Sequence, residues 1–219
     1  MRDIYIQDLE GFSNKLSEQA TAVIEHVHLA INSFNQYDNG AALQLKEADQ
    51  KINQLANEIE KEAYRLIALQ QPVAEDLRLI FTVMSISVDL ERIGDHAVLI
   101  AKNVNRATEE SEKDQALTEI INKMAKMVFE MINDVLEAFS ERDPIKAREI
   151  ADRDELVDAC LKQLYNESAL RMEKNREVVN TGINYLAIGN SIERIGDYVT
   201  NICERIVYLK EAEIVDLNH

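Results

Sequence analysis

Leu90-Glu91-Arg92-Ile93-Gly94-Asp95 in the first half of the chain returns in the second half as Ile192-Glu193-Arg194-Ile195-Gly196-Asp197, with five of the six positions identical. Such a recurrence marks one supersecondary unit used twice. Around the first copy, Leu79, Val83, Ile86, Leu90, Ile93, Ala97, Ile100 and Val104 alternate between spacings of four and three. That is the stripe of a helix packed against neighbouring helices. Upstream, Asp49 with Ile52 stands to the first copy as Asp154 with Val157 stands to the second. The expected fold is all-α: two tandem three-helix bundles, residues 1–107 and 108–219.

Working outward, the periodicity predicts six helices. The first covers residues 3–36 and is closed by Asp38-Asn39-Gly40, a turn that ends helices. The second reaches residue 69. Pro72 falls in the first turn of the third, where its missing N–H costs nothing, and that helix runs to residue 106. The polar run Thr108-Glu109-Glu110-Ser111-Glu112 joins the halves. A fourth helix ends near residue 140, Asp143-Pro144 opens a fifth, and a sixth starts near Val178.

The totals agree. With six Gly, two Pro and no Trp in 219 residues, the chain has few turn-forming residues and is rich in long helices. Its formal net charge of −16 opposes binding to nucleic acid or to an anionic membrane surface, both of which require clustered Lys and Arg. The charge suits cations or a basic protein surface, although most of it is read as an ordinary solvated exterior. Residues 1–5 lead into a charged helix with no signal-peptide core, and no stretch approaches the ~20 apolar residues of a membrane span. The expected compartment is the cytoplasm. Cys160 and Cys203 lack metal-finger spacing and are read as small core residues.

The acids carry the chemistry. Beside the main stripe of the third helix runs a second, Leu77, Phe81, Met84 and Val88, which continues at the same spacing into Glu91 and Asp95. In the other copy Val179, Ile183 and Leu186 lead through Asn190 to Glu193 and Asp197. Asp154 interrupts the stripe Ile150, Val157, Leu161, Leu164, with Asp158 a turn later; Asp49 interrupts Leu45, Ile52, Ala56, Ile59, with Asn53 a turn later. Residues four apart lie on one helix face, so two such pairs on adjacent helices gather carboxylates into one small volume. Protons, basic side chains or metal ions must then compensate the charge. Oxygen donors without His or Cys favour Mg, Mn or Fe over Zn. The expected metal sets are Asp154, Asp158, Glu193 and Asp197, and a weaker one of Asp49, Glu91 and Asp95 in which Asn53 replaces an acid. The alternative is two solvated faces neutralised by Arg92 and Arg194. Gly94 and Gly196, each costing about 1 kcal/mol mid-helix, are expected where a neighbouring helix, or a bound ion, approaches closely.

The segment Gln71-Pro72-Val73-Ala74-Glu75-Asp76-Leu77-Arg78-Leu79-Ile80, followed by Asp89-Leu90-Glu91-Arg92-Ile93-Gly94-Asp95-His96, resembles the PhoU family of phosphate-transport accessory and regulatory proteins. The resemblance extends over essentially the whole chain. The family's E(D)xxxD motif is matched by Glu91 to Asp95, Asp154 to Asp158 and Glu193 to Asp197; the fourth copy departs from it, with Asn53 following Asp49. The resemblance implies a cytoplasmic, non-enzymatic regulator, often a homodimer. It also implies restraint of the phosphate ABC transporter through its ATPase subunit, signalling to a sensor histidine kinase, and multinuclear Fe or Zn clusters, with Mn or Mg as other possibilities.

Two other readings compete. A carboxylate-bridged di-metal enzyme in a helix bundle wants a Glu-x-x-His motif on each of two helices. Glu25-His26-Val27-His28 supplies one and has no counterpart, so His26 and His28 are expected on an ordinary helix face. The other is a structural or adaptor bundle with solvated acids. His96 follows Asp95 but matches Tyr198 in the second copy, and it is not expected to be a required ligand.

Overall fold

The structure, a computed structural model, describes residues 2–36, 38, 40–108 and 114–218. α1 (Arg2–Gln36) ends ahead of Asp38, whose Oδ1 accepts from the Gly40 N–H at 2.8 Å, and α2 (Ala41–Gln70) starts at once. Gln71 adopts the left-handed conformation at φ 47° and closes α2. α3 (Ala74–Thr108) then runs back along it. α4 (Gln115–Glu141) is N-capped by Asp114, which accepts from the Leu117 N–H at 3.0 Å. α5 (Pro144–Ala151) is capped by Asp143, with Pro144 in the first turn. α6 (Asp154–Lys174), a 3-10 turn at Arg176–Val178 and α7 (Val179–Glu211) complete the second unit. Each capping carboxylate satisfies a helix N–H that would otherwise lack a partner. Asn39 and the linker positions 109–112 lie outside the described residues.

α3 and α7 form the spine, sharing the most extensive helix contact in the molecule. α1 and α2 pack on α3; α4, α5 and α6 pack on α7; α1 also touches α4. The spine helices run antiparallel. The His96 and Tyr198 rings lie 5.7 Å apart, while nearer the start of α3 Thr82 and Ser85 share a pocket wall with Arg205 and Tyr208 of α7. The whole predicted main stripe of α3, from Leu79 to Val104, is buried, as are Ile192 and Ile195 of the second copy. One core unites the two units.

Three expectations are corrected. The predicted fifth helix is two: Asp152 and Arg153 separate α5 from α6. Both residues keep right-handed helical angles, but the Arg153 N–H donates to Ile150 O, three residues back rather than four, so the coil tightens locally. The Arg153 guanidinium meanwhile reaches Asp134 of α4 at 2.6 Å. Pro72 stands before α3 and not in its first turn; the Val73 carbonyl accepts the first helical bond, from Leu77. The second apolar stripe of α3 is largely surface, with Phe81 50% and Val88 44% exposed. An apolar residue beside a helix's buried face does not itself have to be covered.

Candidate metal centre

In the second unit, Asp154 begins α6 and Asp158 follows one turn on, opposite Glu193 and Asp197 of α7. All four are half-buried. Burial, and then the charges of Asp197, Asp158 and Glu193, push Asp154 up to about 7. Glu193 is raised by burial and by Asp197 and Asp158, against the pull of Arg194. Asp197 is raised by burial and by Asp158, again against Arg194, whose Nη1 donates to Asp197 Oδ2 at 2.9 Å. The four acids predicted from sequence are therefore brought together, close enough for the charge of Asp158 to act on each of the other three.

Gly196 explains how they fit. A Cβ built there would stand less than 3.0 Å from Asp154 Oδ1. The glycine is the floor on which that carboxylate rests, and any side chain would displace it. The close approach expected at this glycine is thus to an acid of the opposing helix. At Gly94 a Cβ would meet Ile52 Cδ1 at 3.2 Å and Asp49 Oδ1 at 3.3 Å. The same relation holds there with more slack.

In the first unit α2 passes unbroken through Asp49 and Asn53, facing Glu91 and Asp95 of α3. Asn53 Nδ2 donates to Asp49 Oδ2 at 3.0 Å. Asp49 is raised by burial and by Asp95, while Asn53 and Lys102 pull it down. Glu91 is raised by burial and by Asp95 and Asp49, against the pull of Arg92. Asp95 is exposed. This set also comes together, with less charge and more solvent than the second.

Among the described residues no group of three or more His, Cys, Asp or Glu is placed to hold a metal ion. The chemistry of the donors is nonetheless that of a cation site. Oδ1 of Asp154, Oδ1 of Asp49 and the Asn53 side-chain carbonyl oxygen are buried without a hydrogen-bond partner among the described residues. Buried acceptors lacking donors, set among like charges, are what a bound cation would satisfy. All the donors are oxygens, which suits hard or borderline metals.

The expected neutralising arginines behave differently from each other. Arg194 pairs with Asp197, whereas the Arg92 guanidinium lies over the Tyr198 ring, 5.6 Å from its centroid. His96 faces Tyr198, its own counterpart in the other copy, so the spine places equivalent positions together. His26 is not on an ordinary exposed face: it is 3% exposed, and burial lowers it to about 4. His28 is exposed and packs against Phe129. Cys160 and Cys203 are buried and free. One acid went unremarked in the sequence: Asp89, 7% exposed on the spine and raised by burial to about 6 against Arg205, Arg92 and Asn201. The signal was a polar row on α3, Arg78, Thr82, Ser85 and Asp89, at helical spacing.

The PhoU domain model matches residues 16–104 and again residues 121–206. A phosphate-specific transport system accessory protein PhoU homolog of Clostridium acetobutylicum is 39% identical over 99% of each chain. One of Streptococcus pneumoniae is 35% identical over the full length of both. The crystal structure of the phosphate transport system regulatory protein PhoU from Streptococcus pneumoniae superposes with a TM-score of 0.89 at 34% identity, covering 97% of this chain and 99% of that one. PhoU from Pseudomonas aeruginosa gives 0.89 at 31% identity, covering 95% and 100%.

Proposed function

This chain belongs to the PhoU family, and from that premise we propose that it regulates phosphate transport as a non-catalytic accessory protein that holds metal ions in its carboxylate sets. The observation that carries the reading is the full-length match to relatives named for that role. The fold supports it: two bundles on a shared spine present long helical faces, and helical faces dock by apolar anchors and charge complementarity. The partners proposed are the ATPase subunit of a phosphate ABC transporter and a sensor histidine kinase, met in the cytoplasm by a homodimer. Among the described residues no helix is long and apolar enough to cross a membrane.

The metals proposed are Fe or Zn, or Mn or Mg, held by Asp154, Asp158, Glu193 and Asp197 and more weakly by Asp49, Glu91 and Asp95 with the Asn53 carbonyl. A bound cation supplies charge compensation that draws α6 to α7 and α2 to α3. Labelled phosphate uptake in phosphate-replete cells tests the regulatory role. Uptake should stay high when the protein is absent and fall when it is restored; indifference to its loss would refute a brake on import. Elemental analysis of Glu193→Ala with Asp197→Ala tests the metal, and unchanged content would refute it.

A further inference from the structure

On the face of α3 that meets α7, about two turns before Glu91, lies a pocket of about 230 Å³. Phe81, Thr82 and Ser85 line it from α3, Arg205 and Tyr208 from α7, and Ile214 from the segment that follows α7. Four of these side chains are donors: a guanidinium and three hydroxyls. Thr82 is 1% exposed, yet its Oγ1 has no partner among the described residues. A helical threonine ordinarily bonds the carbonyl one turn back, so its orphan hydroxyl is unusual. The Nε of Arg205 is likewise buried without an acceptor. Two unmade donors at one pocket call for a ligand rich in acceptors.

The larger groove between α1 and α4, about 410 Å³, lacks that signal. Its Ser17 and Thr21 hydroxyls already donate to Ser13 O and Ser17 O. Around the smaller pocket, the two acids near Arg205 have further partners of their own. Asp89 is shared between Arg205 and Arg92, and Glu204 Oε1 accepts from the Leu217 N–H at 2.9 Å.

We propose that this pocket binds a tetrahedral oxyanion, inorganic phosphate or a small phosphate monoester, through Arg205 and the hydroxyls of Thr82, Ser85 and Tyr208. The guanidinium offers a planar fork matched to phosphate oxygens, and three hydroxyls complete a tetrahedral donor set. Phe81 and Ile214 leave an apolar wall for the substituent of an ester. The site is separate from the carboxylate sets and needs no metal.

Titration calorimetry of the full chain in chelator, with inorganic phosphate and separately with O-phosphoserine, tests this. One saturable site is expected. Arg205→Gln should weaken binding by about tenfold or more, and Thr82→Val, which keeps the side chain's shape, by about fivefold. Thermal melts check that both variants fold; if Arg205→Gln does not, Thr82→Val decides. Tighter binding of the ester assigns the pocket to monoesters and the reverse order to the free ion, and either upholds the site. It is overturned by no binding at millimolar anion, by wild-type affinity in the folded variants, or by binding that appears only when the chelator is replaced by Mn.

Discussion

Replacing Asp154 with Asn is expected to stabilise the metal-free protein at pH 8 while removing a proposed metal ligand. Asp154 is held near 7 against an ordinary 3.8 by burial and three neighbouring acids. An acid raised in the folded state binds its proton there while the unfolded chain has already lost it. Stability is therefore undiminished below the ordinary value, falls as pH rises from 3.8 to about 7, and stays low above that. The unscreened ceiling is about 4 kcal/mol. Asp154 is only half-buried, so solvent screening reduces this to roughly 1–2 kcal/mol. Asparagine keeps the shape against Gly196 and never ionises, so it escapes the loss. Each kcal/mol moves the melting temperature of a chain this size by about 2–4 °C. Circular dichroism melts in chelator should show the variant about 2–8 °C above wild type at pH 8 and nearly level with it at pH 4.5. Adding Mn should reverse the order, because wild type gains from ligand binding and the variant gains less. A variant that melts at or below wild type at pH 8 in chelator would refute the idea that like-charge repulsion is stored at this site.

Gly196→Ala should lose bound metal in elemental analysis, since its Cβ displaces Asp154, while Gly94→Ala should retain most of it because Asp49 and Ile52 stand farther away. Asn53→Asp completes the fourth acid of the first set and should raise the number of ions bound per chain, measured by equilibrium dialysis with Mn. Arg194→Gln removes the cation that competes for Asp197 and should tighten metal binding in calorimetry, most clearly at low salt. Ile195→Ala opens a cavity in the core beside the second set and should cost about 2–4 kcal/mol in denaturant unfolding without changing the acids.

The repeat and the main stripes were legible because helical periodicity and duplication are both local patterns. Each residue of the α3 stripe that was predicted to be buried is buried. The acid sets were legible for the same reason: position on a helix face follows from spacing once the partner helix is known from the repeat. What stayed hidden depends on three-dimensional neighbours. The break at Asp152 and Arg153 carries no Gly or Pro, and a backbone that keeps helical angles leaves no compositional trace. Phe81 and Val88 read as core because their spacing resembles a stripe, yet only the tertiary arrangement says which of two adjacent stripes is covered. The burial of His26 and Asp89 is likewise set by which helix stands opposite.

The differences between the two acid sets bear on how they fill. The second has four carboxylates, all half-buried, and its Asp154 opens α6, where helix N–H groups favour an anion. Asp154 is nonetheless pushed up to about 7, so burial and like charge outweigh that helix end. In the first set Asn53 donates to Asp49, Lys102 offsets its charge, and Asp95 lies in solvent. The repulsion that a cation would relieve is consequently smaller, although in the second set Arg194 must release Asp197. Relief of repulsion is part of the binding free energy, so an ion would gain more at the α6–α7 set, and that set should fill first as metal concentration rises. The internal duplication thus supplies two carboxylate sets of unequal charge and burial from nearly the same motif, and the inequality traces to Asn53 and to exposure.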